Sequence, residues 1–342
     1  MRTCWRCALL AALFSAALLP RAFAADDPAE TRKGTAHFEP ARDEARLPER
    51  FRMQAHSIPF EQKPLQTISK VMKISAVTFP SPMVTPHENN NTVHCEYFLP
   101  SSPGRKPGVI VLHILGGDFD LARLFARSLA GRGVAALFLK MPYYGERRQP
   151  GIDARMISLD PEQTVRGMTQ AALDIRQGAA FLASQPEVDP QQLGIMGISL
   201  GGITAALSAS LEPRFTKVCL ILAGGDMGEI AWTSTEMAPL RKAWAEAGRS
   251  KEELFSTIKV VDPVTYARPV AGRKMLMLNA SHDEVVPPAC TISLWHAFGD
   301  PEIVWWDAGH YSAVRYIFSG MARTVGFFES DKTADSAQTI AK

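Results

Sequence analysis

The sequence predicts an α/β protein, a doubly wound and mostly parallel sheet with a small helical cap, on three observations. From Gly108 onward, apolar runs of strand length alternate with segments of helical spacing, the pattern of parallel strands joined by crossover helices. One interval, about residues 226–266, breaks that alternation with a polar, tryptophan-containing and largely helical stretch, read here as the cap. With 46% hydrophobic and 21% charged residues, a chain of 342 has ample material for one large core.

Taken in order, the first 24 residues carry Arg2 and Arg6, an apolar run from Ala8 to Leu19, and Ala22-Phe23-Ala24 with small residues at both positions that a signal peptidase inspects. They read as a secretory signal cleaved after Ala24, because a run of 12 apolar residues is too short to span a bilayer. No other run approaches spanning length, so a mature protein without a membrane span, periplasmic or secreted, is expected. Loss of the signal would remove three arginines and no acid, leaving 34 basic against 35 acidic groups and a formal charge of −1. A nearly neutral chain whose Arg147-Arg148 pair is flanked by Glu146 has no electrostatic footprint for nucleic acid. Cys4 and Cys7 would leave too, and Cys95, Cys219 and Cys290 are scattered without metal-ligand spacing, so free thiols are expected and no metal.

Residues 25–65, rich in Arg, Glu and Pro with weak periodicity, read as an irregular N-terminal arm. Lys70 to Val77 and Thr92 to Phe98 then form an opening antiparallel pair. The main domain, 66–329, continues with strands at Val109 to Leu115, Val134 to Leu139, Leu193 to Ile198, Val218 to Leu222, Lys274 to Asn279 and Ile303 to Trp306. Helices are expected at Leu121 to Ala130, Pro161 to Ser184, Gly202 to Leu211, Met237 to Ala247 in the cap, Pro288 to Phe298 and Ser312 to Phe328. Alternation along the last strand places Trp305 and Trp306 in the core rather than a pocket. Residues 330–342 form a polar tail.

The chemistry gathers where strands end. Gly197-Ile-Ser-Leu-Gly201 sets Ser199 between a buried strand and a helix, the context of a nucleophile elbow, whose tight turn the flanking glycines permit. A serine hydroxyl needs a base to take its proton and an acid to orient that base. His310, in Asp307-Ala-Gly-His310 after the last strand, is the base, and Asp283, just past the strand ending near Asn279, is the acid. Asp226 and, less so, Glu284 are rivals for the acid. The tetrahedral oxyanion needs N–H donors: Leu200 by position, and Leu115 or Gly116 from the His113-Ile-Leu-Gly-Gly117 turn, which His113 itself buttresses. Met141 to Arg148 opens onto the same sheet edge and offers Tyr143 or Tyr144 either as a substrate-pocket wall or as part of a packed loop.

On these motifs, residues from about Gly108 to Phe328 resemble the α/β-hydrolase superfamily, most nearly its dienelactone hydrolase-like and acetylxylan esterase-like members. The resemblance implies an α/β-hydrolase fold, a Ser199–Asp283–His310 triad, turnover through an acyl-enzyme and no metal or organic cofactor. The oxyanion segment departs from the lipase-type His-Gly-Gly-Gly. The function expected is an exported serine hydrolase of small-molecule or carbohydrate esters. A peptidase, amidase or acyltransferase would use the same three residues, and an inactive protein retaining the fold is the alternative of a different class. No Gly-x-Gly-x-x-Gly fingerprint opens the first crossover, so nothing points to a dinucleotide.

Overall fold

A computed structural model describes residues 31–117 and 119–329; the expected signal peptide and the polar tail lie outside the described residues. Ten strands among the described residues form one sheet. They are β1 (Arg32–Phe38), β2 (His56–Ile68), β3 (Met72–Pro80), β4 (Thr92–Pro100), β5 (Lys106–Leu112), β6 (Ala135–Leu139), β7 (Val188–Ile198), β8 (Phe215–Ile221), β9 (Lys274–Ala280) and β10 (Glu302–Trp306). Their spatial order is β1-β2-β3-β4-β6-β5-β7-β8-β9-β10. Pairing is antiparallel from β1 through the β4–β6 contact and parallel from there to β10.

The parallel half is covered on both faces, as its sequence requires. Successive side chains of β5 alternate between the faces, Ile110 and Leu112 into one core and Val109 and Val111 into the other, and all four are buried. Helices α1 (Asp120–Gly131), α2 (Pro161–Ser184) and α3 (Leu200–Leu211) follow β5, β6 and β7. The α2 start combines Pro161 in the first turn with Asp160 as cap, its carboxylate accepting from the Glu162 N–H at 3.0 Å. Between β8 and β9 come four short helices, α4 (Met227–Thr233), α5 (Ala238–Glu246), α6 (Lys251–Lys259) and α7 (Pro263–Tyr266), and α8 (Pro288–Ala297) and α9 (Ile317–Phe328) complete the set. The final helix is shorter than expected, because Ser312–Tyr316 form a 3-10 turn before it.

Two expectations about the strands need correcting. Over its described residues the 25–65 arm is not irregular: it holds β1 and most of β2, which lengthen the sheet. Ala36, Phe38, Ile58 and Phe60 alternate inward, but Thr35, His37, Ser57, Pro59 and Glu61 beside them carry no strand-like apolar run, which hides the alternation. The intervening segment is pinned by Glu44, whose carboxylate accepts from Arg176 at 2.6 Å. Strand β5 stops at Leu112 rather than Leu115, since positive φ at Gly116 and Gly117 turns the chain away. At the other sheet edge, Trp306 is buried and stacks on Tyr316, but Trp305, expected in the core, is 37% exposed, because β10 has no neighbour beyond it.

A fully buried ion pair ties distant segments together beside the carboxyl edge. Arg147 Nη1 lies 2.8 Å from Asp174 Oδ2 on α2, and Ser81 Oγ donates to Asp174 Oδ1 at 2.6 Å. Arg147 Nη2 donates to the Asn90 carbonyl at 2.7 Å, and Asn90 Oδ1 accepts from the Tyr143 N–H at 2.9 Å. Cys95, Cys219 and Cys290 are free and buried, and burial pushes the Cys219 and Cys290 thiols up to about 12.

Candidate active site

Ser199 occupies the turn from β7 to α3 with φ 55° and ψ −118°, a conformation that L-residues seldom adopt. The flanking glycines are there for space. A Cβ on Gly197 would lie 2.1 Å from the Gly201 carbonyl oxygen, and one on Gly201 would lie 2.6 Å from that of His113. Such contacts would push the elbow open. Because α3 begins at the next residue, its unpaired N–H groups and positive dipole end face the serine.

The structure brings Ser199, His310 and Asp283 together. Ser199 Oγ is 3.0 Å from His310 Nε2, and His310 Nδ1 is 2.8 Å from Asp283 Oδ2 and 2.9 Å from Oδ1. A carboxylate can only accept, so Nδ1 carries the imidazole proton and Nε2 is left to accept from the serine hydroxyl. Asp283 is itself held by the Val285 and Val286 N–H groups at 2.9 and 2.7 Å, both donating to Oδ1.

Neither rival acid reaches the imidazole. Asp226 is exposed at the start of α4 with φ 51°, and its carbonyl accepts from Glu229 and Ile230. Glu284 has a different task, which sequence reasoning missed: its Oε2 accepts from the His310 main-chain N–H at 2.9 Å, so adjacent acids hold the imidazole and the backbone of one histidine. Nothing in the sequence distinguishes that from an exposed loop carboxylate.

The turn from His113 to Gly117 is braced from behind. His113 is buried, with Nδ1 2.8 Å from the Ile114 carbonyl oxygen and Nε2 accepting from the Met141 N–H at 3.1 Å. The bond from Met141 requires an unprotonated Nε2, and burial lowers the ring's pKa to about 4. The folded state therefore disfavours a proton that the unfolded chain takes up near pH 6.5. This contribution is complete above pH 6.5 and is lost as pH falls toward 4. Between pH 7 and 4.5 the protein should lose about 2–3 kcal/mol more unfolding free energy than His113→Asn, read from urea midpoints. Parallel losses in the two proteins would count against the buried neutral imidazole.

Tyr143 and Tyr144 do not line the pocket; both are buried in the packed loop. Tyr143 packs edge-on to His87 and Tyr144 edge-on to His113. Burial pushes the Tyr144 hydroxyl up to about 12 against an opposing hydrogen bond from the Gly116 backbone. The N–H groups of Leu115 and Leu200 make no hydrogen bond among the described residues, and both residues border the cavity at Ser199.

That cavity, of about 90 Å³, lies between the elbow and the helices inserted after β8. Ile157, Ile203, Met227, Leu240, Ile258 and Val285 supply much of its wall. The signal for it is the spacing of Met227, Ile230 and Ala231, then Met237 and Leu240, one apolar face per short helix in a polar interval. Tyr311 Oη donates to Glu236 Oε1 at 2.7 Å, linking the histidine loop to the inserted helices. Among the described residues no group of three or more His, Cys, Asp or Glu side chains is placed to hold a metal ion.

Comparison with known proteins agrees with this architecture. A family model described as "Alpha/beta hydrolase domain containing 18" matches residues 61–233, about half of the chain. One described as "Prolyl oligopeptidase family" matches residues 168–303. An uncharacterized protein of Mycobacterium tuberculosis is 29% identical over 224 residues, 61% of this chain and 50% of its own length. The chain thus spans about half the length of such curated relatives. Among solved structures, acetyl xylan esterase 1 from Thermoanaerobacterium sp. JW/SL YS485 superposes with a TM-score of 0.60 at 20% identity, covering 77% of this chain and 87% of that one. The acetyl xylan esterase from Paenibacillus sp. R4 gives 0.59 at 19% identity, covering 84% and 95%. At those identities the likeness is one of fold, the α/β-hydrolase fold.

Proposed function

The chain belongs to the alpha/beta hydrolase domain containing 18 family, and from that premise we propose that it is a serine hydrolase of carboxylic esters. One observation above all supports the reading: the unbroken hydrogen-bond line from Ser199 through His310 to Asp283, at 3.0 and 2.8 Å. Ser199 Oγ attacks the ester carbonyl as His310 Nε2 takes its proton, and Asp283 holds the ring in the tautomer that can do so. The oxyanion is received by the N–H groups of Leu200 and Leu115, which border the cavity and make no hydrogen bond among the described residues. His310 returns the proton to the leaving alcohol, and water, deprotonated by the same nitrogen, releases the acid and Ser199.

The match to the prolyl oligopeptidase family over residues 168–303 favours a second reading, an amide hydrolase using the same residues. The character of residues 1–24 supports export, with the reaction taking place outside the cytoplasm. The test is to treat the purified protein with a fluorophosphonate and to locate the adduct by mass spectrometry, then to compare p-nitrophenyl esters with anilide and prolyl-peptide substrates. Stoichiometric modification of Ser199 together with faster ester than anilide cleavage is expected. A folded protein that takes no label would overturn the proposal, and preferential anilide cleavage would replace it with the amidase.

A further inference from the structure

The cavity beside Ser199 has a direction. The alcohol of an ester must leave on the side of His310 Nε2, because that nitrogen returns its proton. The cavity wall contains Ser199, Leu200 and Leu115, the proposed nucleophile and the two proposed N–H donors, but not His310. A carbonyl placed on Ser199 with its oxygen toward those donors and its leaving oxygen toward His310 therefore points its acyl chain into the cavity.

The wall that chain meets is aliphatic. Besides Ser199, its polar side chains are Ser158, Thr164, Ser234 and Glu236, and each is engaged within the protein. Ser158 Oγ accepts from Asp160 N, Thr164 Oγ1 from Ser158 N, Ser234 Oγ from Glu236 N, and Glu236 Oε1 from Tyr311. No aromatic ring borders the space, so it suits a flexible hydrocarbon rather than an aryl acid. A packed group of water or methylene size takes up about 30 Å³. The cavity of about 90 Å³ thus admits about three carbons beyond the ester carbonyl.

We infer that the enzyme selects esters of short-chain aliphatic acids, butanoyl to pentanoyl, over acetyl esters, through the cavity built by α3 and the inserted helices. The inference rests on the serine-esterase reading. Each methylene buried in the cavity should raise kcat/KM about fourfold until the space is full.

The experiment is the kcat/KM profile of the purified protein on p-nitrophenyl esters from acetyl to dodecanoyl, run beside fluorophosphonate labelling of Ser199. A rise of at least tenfold from acetyl to a maximum at butanoyl or pentanoyl, followed by a fall, is expected. Ala231→Phe should move that maximum to acetyl by filling the space, and Leu240→Ala should move it to hexanoyl or beyond. The wild-type profile decides the matter even where a variant does not fold. A flat or acetyl-peaked profile with Ser199 labelled overturns the chain-length inference and leaves the serine hydrolase standing. Absence of both labelling and turnover removes the two together.

Discussion

Ser199→Ala is expected to lower kcat on an activated ester by about 10⁴- to 10⁶-fold while leaving the fold intact. The hydroxyl's one hydrogen bond goes to His310 Nε2, and it caps no helix, so its removal breaks no structural contact. What remains should be the catalysis that the oxyanion donors and the cavity supply without a nucleophile, roughly 10³-fold over water. The measurement is pre-steady-state release of p-nitrophenol, with near-ultraviolet circular dichroism as the control for folding. Wild type should show a burst of one equivalent and the variant none. A variant retaining a tenth of wild-type turnover would mean that another group attacks the ester, and the assignment of the elbow would be wrong.

Asp283→Asn should cost about 10⁴-fold in kcat, whereas Asp226→Asn should change it less than about threefold, within the range of a surface substitution. The argument concerns the tautomer. In the substituted side chain the amide oxygen is claimed by the two N–H donors of Val285 and Val286, which in the native protein bind Asp283 Oδ1. The amide nitrogen then faces His310 Nδ1, and as a donor it forces that atom to be the acceptor. The ring proton moves to Nε2, where it blocks transfer from Ser199. Asp226 is exposed and in the left-handed region, which an asparagine tolerates well. Equal losses, or the reverse order, would reassign the acid.

The parts of this site that were legible in the sequence are those that local rules impose. Gly197-x-Ser199-x-Gly201 could be read because the elbow's clashes involve residues within four positions or the adjoining strand end. Asp283 and His310 could be read because each directly follows a strand at the carboxyl edge. What stayed hidden depends on distant partners. Tyr143 and Tyr144 sit where a pocket wall was conceivable, but Asn90, some fifty residues earlier, and His113 draw them inward. The strands in residues 25–65 were obscured because their buried positions are few and separated by polar residues and Pro, so the alternation is visible only once the neighbouring strand supplies the register. The cavity draws its wall from α2, α3, the inserted helices and the loop after β9, and no single window of sequence contains it.

The two sides of the reaction centre differ in what fastens them. The side bearing Leu115 leans on Tyr144 and His113, and behind these the Arg147–Asp174 pair is fully buried, where breaking it costs about 3–5 kcal/mol. The opposite side is short helices that present mainly aliphatic side chains to the cavity, Met227 and Met237 among the adaptable ones, and that are tied to the histidine loop through Glu236 and Tyr311. On the proposed function, a bound acyl group would meet those adaptable side chains while the proposed oxyanion donors sit on the braced side. Substitutions on the inserted helices would then alter acyl selectivity without touching the triad, which would make selectivity the property most open to evolutionary change.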